Sequence, residues 1–452
     1  MEYVLEDKLE EARALVEEKN YYRLKEILNS LLVPDIVEII SSFDINEQVV
    51  MFRLLNKDVA TEVFSMMEHE YQEELLTHFG REEVKNIIEG MDPDDRTELF
   101  DELPQDMVKR LIRLLSPSER QTANRLLNYP EESAGRLMTP EFIELHRDLN
   151  CSEAIDLIRQ IGMNKETIYY LYVVDERGIL IGIVSLKDVL LANPSTRVQD
   201  IMTTNFISGS TTDDQEEVAR LLAKYDISAL PITDRDNKLV GIVTIDDVID
   251  VINEEATEDF HKMASMEAID EPYFSTRFFV LGRKRALWLV ILLVTSYLSS
   301  SVLKYYSGIL EVVVPLAFFI PMLTGTCGNT GMQSATLVIR GMATGEIKIK
   351  DSLRIFTREV FMGLFLGVIL GIFAFIRANF LQVNPFVGIS VGCAVFISVI
   401  LSNIIGSFLP MILRRVGIDP AISAGPFLTT IIDVTTLILY FEIAKMILET
   451  GM

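Results

Sequence analysis

Apolar and polar positions fall along the chain in three regimes. From residue 1 to about 130 no strand-like alternation occurs. After an opening helix come short amphipathic segments such as PDIVEII, NEQVVMFRLL, EEVKNIIEGM and PQDMVKRLIRLL, each of which predicts one short helix. Pro93, Pro104 and Pro117 stand where a first helical turn tolerates proline. No such helix can bury its apolar face alone, so the repeat predicts a stacked superhelix. From residue 131 to about 252 strands and helices alternate, and the pattern occurs twice. GIVSLKDVL (182–190) matches GIVTIDDVI (241–249), and each copy opens on a Met-Thr start, LMTPEFIEL or IMTTNFISG. From residue 283 to 452 run five apolar segments, at about 286–305, 311–339, 357–380, 386–412 and 421–448. Each is long enough to cross an ~30 Å hydrocarbon layer. An acidic connecting helix, 246–282, joins the last two regimes.

The last apolar segment carries a carboxylate. Counted from Ala421 as one helix, Asp433 lies about 12 residues in, or roughly 18 Å at 1.5 Å per residue. An ionised side chain at that depth costs at least ~2.5 kcal/mol in lipid, so it should face a cavity, a partner or an ion. Lys304, Arg340, Arg358, Arg377 and Lys445 all stand at segment ends, which argues against a buried ion pair. Gly425, Thr429, Asp433, Thr436 and Tyr440 recur at spacings of three and four and predict one polar stripe, as along a water-filled path. In the second segment PMLTGTCGNTGMQSATL (321–337) is poor lipid-facing sequence. Gly325, Asn329, Thr330 and Gln333 are its candidate pore-wall residues, and the stretch is expected to interrupt the helix. Basic clusters at 283–285, at Arg340 to Arg358 and at Arg414/Arg415 predict a cytosolic N-terminus and an outside C-terminus.

Charge sharpens this picture. The 452 residues carry 66 Asp and Glu against 41 Lys and Arg, a net charge of −25. That excludes nucleic acid as a partner and favours a cation. The three cysteines and four histidines show no metal-ligand spacing, and no nucleophile elbow or phosphate loop is present, so an enzyme is not expected. The N-terminus is acidic and helical, unlike a signal peptide, which keeps the soluble part in the cytosol.

Acids gather at particular places. Asp92, Asp94 and Asp95 open one short helix, either to compensate its dipole or as an edge that metal bridges to a second acidic surface. The connecting helix carries Asp247, Asp250, Glu254, Glu255, Glu258 and Asp259, and Asp214, Glu216 and Asp226 add to them. Such a run is either a solvated face or a set of weak sites for a hard divalent cation, which takes carboxylate oxygens.

The duplicated unit, with its Gly-[IV]-[IV]-[ST]-x-x-Asp signature, resembles a CBS-domain pair. Such pairs commonly bind adenine nucleotides, ATP among them, between the copies. Tyr170, Lys187, Asp188 and Ser208 are the candidates by position; the alternative is an empty cleft serving only dimerisation. The whole order, carried by PMLTGTCGNTGMQSATL and DPAISAGPFLTTIIDVTT, resembles the MgtE family of magnesium channels. The resemblance implies a multi-domain homodimer: an all-α helical superhelix, an α/β tandem CBS pair and an α-helical membrane domain with five transmembrane helices per subunit. It implies a bacterial inner-membrane protein whose Mg²⁺ path is lined by the second and fifth spans, with Asp433 as selectivity residue. It implies regulatory Mg²⁺ on the acids above, Asp94 facing Asp247, and on Asp419 at the pore mouth. Cys327 and Thr436 stand where the family usually has Gly. The rival readings are a cation-coupled exchanger and a membrane-anchored nucleotide sensor without transport.

Overall fold

The computed structural model describes residues 2–269, 276–381, 383–423 and 425–451, and divides into two compact units, residues 1–252 and 253–452. Part of the expected connecting element, 270–275, lies outside the described residues.

The first unit begins with ten helices, α1 (Glu2–Glu17) to α10 (Pro117–Leu126), among them α8 (Pro93–Glu102). Their apolar faces share one core that runs from Ala12 to Ala123. Polar caps start several of them. Asp44 accepts from the amides of Asn46 and Glu47, and Ser116 from that of Glu119, satisfying first-turn donors that the helix itself cannot.

The duplicated part follows as α11 (Ala134–Leu137), β1 (Glu144–His146), α12 (Cys151–Ile161), β2 (Tyr170–Val174), β3 (Leu180–Ser185) and α13 (Leu186–Leu191). The second copy is α14 (Val198–Ile201), β4 (Gly209–Ser210), α15 (Gln215–Tyr225), β5 (Ala229–Thr233), β6 (Leu239–Thr244) and α16 (Ile245–Met263). Each copy forms a three-stranded sheet with one parallel and one antiparallel pair. The two copies exchange their openings. Thr139 bridges to Ile242 and Thr203 to Ile183, so each Met-Thr start lies on the other copy's last strand. The signature glycines make room for this: a Cβ at Gly182 would lie 2.7 Å from the Met202 sulfur, and one at Gly241 2.5 Å from that of Met138. The signature Ser or Thr and Asp cap the next helix, with Ser185 Oγ donating to Asp188 at 2.6 Å and Thr244 Oγ1 to Asp247 at 2.6 Å.

The second unit holds the rest of α16, which ends at Met263 rather than near 282. It continues with α17 (Phe278–Tyr305), α18 (Ser307–Val312), α19 (Ile320–Ala343), α20 (Ser352–Phe380), α21 (Pro385–Val416) and α22 (Pro426–Gly451). Among the described residues, three helices are long and apolar enough by themselves to cross a membrane: α17, α20 with its preceding turn, and α21. The other two long helices, α19 and α22, carry the glycine-rich stretch and Asp433. The expected interruption at 321–337 is absent, because α19 is continuous there; the break falls upstream in a 3-10 turn at Val314–Phe319. The glycines instead let backbones meet. A Cβ at Gly406 of α21 would lie 2.2 Å from the Gly331 carbonyl oxygen of α19, and one at Gly367 of α20 would lie 2.8 Å from the Phe396 carbonyl oxygen of α21.

Candidate functional site

Asp433 is half-buried on α22, and among the described residues it makes no hydrogen bond and no ion pair. It faces α19 across a glycine: a Cβ at Gly328 would lie 3.4 Å from Thr429 and 3.9 Å from Asp433 Oδ1. The helix carrying it is shorter than the apolar run that begins at Ala421. Pro426 starts α22, so Asp433 lies seven residues in, about 10 Å from that N-terminus. Gly425 is therefore off the helix, at φ +133°, where a Cβ would strike the Met263 carbonyl oxygen at 2.1 Å. The polar stripe also divides. Thr429 and Asp433 are half-buried, whereas Thr436 and Tyr440 turn fully inward, and the Tyr440 hydroxyl donates to the Leu316 carbonyl at 2.9 Å. On α19, Gly325, Asn329 and Gln333 lie on one exposed face, while Thr330 is buried and donates to the Thr326 carbonyl.

A second collection of acids lies in the first unit. Asp94 is buried, its Oδ1 makes no hydrogen bond among the described residues, and burial holds its pKa well above the ordinary carboxylate range, with Asp247, Asp95 and Glu166 adding repulsion. Burial also pushes Asp247 up to about 7, against the Thr244 bond and with Asp246 and Asp95 alongside. Glu166 rises to about 7 for the same reason, with Asp92 and Asp247 nearby. Burial raises Asp95 and Asp250 too. Neither Glu166 nor Asp246 stood out in the sequence: Glu166 lies in a non-periodic loop, and Asp246 was masked by its neighbour. Among the described residues no three His, Cys, Asp or Glu close around one point. An uncompensated buried acid beside three others still fits a hydrated Mg²⁺, which takes one or two carboxylates directly and others through its waters.

The remaining acids separate. Asp214 and Glu216 open α15 while Asp226 ends it in a left-handed conformation, about 17 Å away, so the three do not form one site. Glu254, Glu255 and Asp259 stand on α16 beyond the first unit. Glu258 and Asp419 share a partner: Lys262 Nζ lies 2.5 Å from the former and 2.7 Å from the latter, tying the end of α16 to the loop before α22.

Tyr170 and Lys187 line a cavity of about 550 Å³, together with Tyr169, Ser185, Leu190 and Ser228. Asp188, exposed and bonded to Ser185, lies outside that lining, and so does the exposed Ser208; Ser228 lines it instead.

Comparison with known proteins bears on both unit and site. A model described as a divalent cation transporter, MgtE, matches residues 320–443; the MgtE intracellular N domain matches 31–132, and CBS domains match 134–194 and 198–254. The magnesium transporter MgtE of Thermus thermophilus is 38% identical over 452 residues, 99% of this chain and 100% of that protein. This chain belongs to the MgtE family of divalent cation transporters. The MgtE of Bacillus subtilis is 36% identical over 390 residues, 86% of each chain. A crystal structure of the cytosolic domain of the Mg²⁺ channel MgtE in complex with ATP has 36% identity and a TM-score of 0.52, covering 53% of this chain and 98% of that one. Family members are transporters and not enzymes. The transporter match begins at the first residue of α19 and takes in Asp419 and Asp433.

Proposed function

We propose that this chain is a Mg²⁺-selective channel of the plasma membrane, working as a homodimer with α17, α19, α20, α21 and α22 as five spans per subunit. The observation that carries the reading is Asp433: a carboxylate in an apolar helix, without a partner among the described residues, opposite the glycine wall of α19. The exposed face with Gly325, Asn329 and Gln333 supports α19 as the second lining helix. Two such carboxylates, one per subunit, attract a divalent cation and hold it through its water shell, since Mg²⁺ dehydrates reluctantly. Entry is passive. An inside-negative potential of 100 mV contributes about 4.6 kcal/mol to a doubly charged ion entering the cytosol.

The acids of the soluble part serve as the closing sensor, with the N-terminus cytosolic and the C-terminus outside. Bound Mg²⁺ supplies positive charge to a cluster that is otherwise self-repulsive. Asp94 and Asp95 on α8 then stay docked against Asp247 and Asp250 on α16. At the other end of that helix, Glu258, Lys262 and Asp419 fasten it at the mouth of the path. The cavity beside Tyr170 and Lys187 takes an adenine nucleotide, in keeping with the ATP complex of the related cytosolic domain.

The test is Mg²⁺ uptake into liposomes carrying the purified chain, driven by an inside-negative potential with no gradient of any other cation. Uptake under these conditions is expected. Uptake that requires a counter-ion gradient would replace the channel with an exchanger, and no uptake under either condition would leave a tethered sensor.

A further inference from the structure

Asp433 is not the only carboxylate within the helical bundle. Glu359 stands seven residues into α20, beyond which no charge follows until Arg377. It is half-buried and among the described residues forms no ion pair; its neighbour Arg358 is exposed. Its partner is on α19, where the hydroxyl of the buried Ser334 lies 2.6 Å from Glu359 Oε2 and 3.2 Å from the Asn403 carbonyl oxygen of α21. The shorter contact has the length of a charge-assisted bond. Asn403 is itself buried, and its side-chain amide Nδ2 has no hydrogen-bond partner among the described residues. A Cβ at Gly363, one turn beyond Glu359, would lie 3.4 Å from that amide, which places the donor beside the same face of α20.

Three helices therefore meet at one polar point. Ser334 and Asn403 are buried behind α19, away from its exposed Asn329 and Gln333, so this point does not line the face that the proposed path uses. It does set where α19 stands. Ser334 is six residues from Gly328, about 9 Å along the helix, and Gly328 is the wall opposite Asp433.

We infer that Glu359 is a positioning residue for ion passage: through the Ser334 hydroxyl it holds α19 in height and rotation against α20 and α21, and so fixes the gap between Gly328 and Asp433. The inference rests on the reading of Asp433 as the residue that passing cations meet. A carboxylate suits this task because a half-buried charge strongly disfavours any arrangement in which it loses its donor.

The test is Mg²⁺ uptake by full-length chain in liposomes, for Glu359→Ala, Glu359→Gln, Ser334→Ala, the Glu359→Ala/Ser334→Ala pair, and Asp433→Asn separately. Glu359→Ala and Ser334→Ala are each expected to lower maximal uptake about tenfold, with half-saturation changed by less than about twofold. The pair should fall no further than the worse single variant, since both remove one bond. Glu359→Gln, whose amide oxygen accepts the same bond, should recover uptake to within about threefold of the parent, and it keeps the test open should the alanine variant fail to fold. Unchanged uptake in the two alanine variants, losses that multiply in the pair, or no rescue by glutamine would overturn the inference. Coupled losses at Glu359 and Ser334 beside unaltered uptake in Asp433→Asn would sink the Asp433 reading instead, leaving α19 positioned for some other path.

Discussion

Gly406→Ala tests whether close helix contact holds the ion path together. A Cβ at Gly406 would lie 2.2 Å from the Gly331 carbonyl oxygen, about 1.2 Å short of ordinary contact. The obstacle is backbone, so no side-chain rotation relieves it and α19 and α21 must separate by nearly that distance. The same glycine of α19 has Ile432 of α22 on it, since a Cβ at Gly331 would meet the Ile432 side chain at 2.1 Å. Moving α19 therefore disturbs the helix that carries Asp433. Overpacking of this kind costs about 1–3 kcal/mol, or a fall of roughly 2–10 °C in the melting temperature of the helical unit in detergent. Mg²⁺ uptake should fall with it. The control is Gly282→Ala in α17, where a Cβ meets nothing within 4 Å. Alanine there should be neutral or favourable by up to about 1 kcal/mol through helix propensity. Equal melting temperatures for the two variants would refute the argument from close packing.

The remaining predictions concern the soluble acids, the helix tether and the cavity. Asp247 and Glu166 titrate near 7 in the folded chain against ordinary values near 4, so the folded state binds the extra protons. Their contribution to stability is full below about pH 4 and is lost as pH rises through 7. Without Mg²⁺, proteolytic resistance of the soluble part should therefore fall between pH 5 and 8, and the protection given by added Mg²⁺ should be large at pH 8 and small at pH 5; the opposite trend would deny that these acids repel one another. Lys262→Met removes the shared partner of Glu258 and Asp419 and leaves two facing acids. It should loosen the end of α16, seen as faster cleavage near Met263 in the absence of Mg²⁺, with added Mg²⁺ slowing it. Lys187→Ala and Tyr170→Ala should each weaken binding of a fluorescent ATP analogue about tenfold, as expected for loss of a charged or aromatic contact; unchanged binding by both would place the nucleotide elsewhere.

Much of this arrangement can be read from spacing alone. The helical array and the duplicated β-α-β-β-α unit declare themselves because each needs a periodic apolar face. The exchange of Met138 and Met202 onto Gly241 and Gly182 then explains why the Met-Thr starts and signature glycines travel together. Periodicity misleads in the helical bundle, where nearly every position is apolar and orientation rests on small residues. The glycines of 321–337 read as a break but serve as contact points within a continuous α19. Gly425 shared a helical spacing with Asp433, yet Gly425-Pro426 is itself a helix-start signal, and it moves Asp433 closer to a helix end. Tyr440 and Thr436 fit the stripe on a helical wheel, but neighbouring helices cover them. Glu359 is hidden in the sequence by Arg358, which stands at the segment boundary, and only the fold brings Ser334 and Asn403 to it.

The central claim is that the Asp433 carboxylate is the charge a passing cation meets. Its most direct test is the initial rate of Mg²⁺ uptake into liposomes by Asp433→Asn, which keeps size and removes charge, at an inside-negative potential. The account predicts a fall of at least about thirtyfold, as expected for the loss of an interaction worth ~2 kcal/mol or more, together with weaker discrimination against monovalent cations. A rate and selectivity equal to those of the parent chain would contradict it.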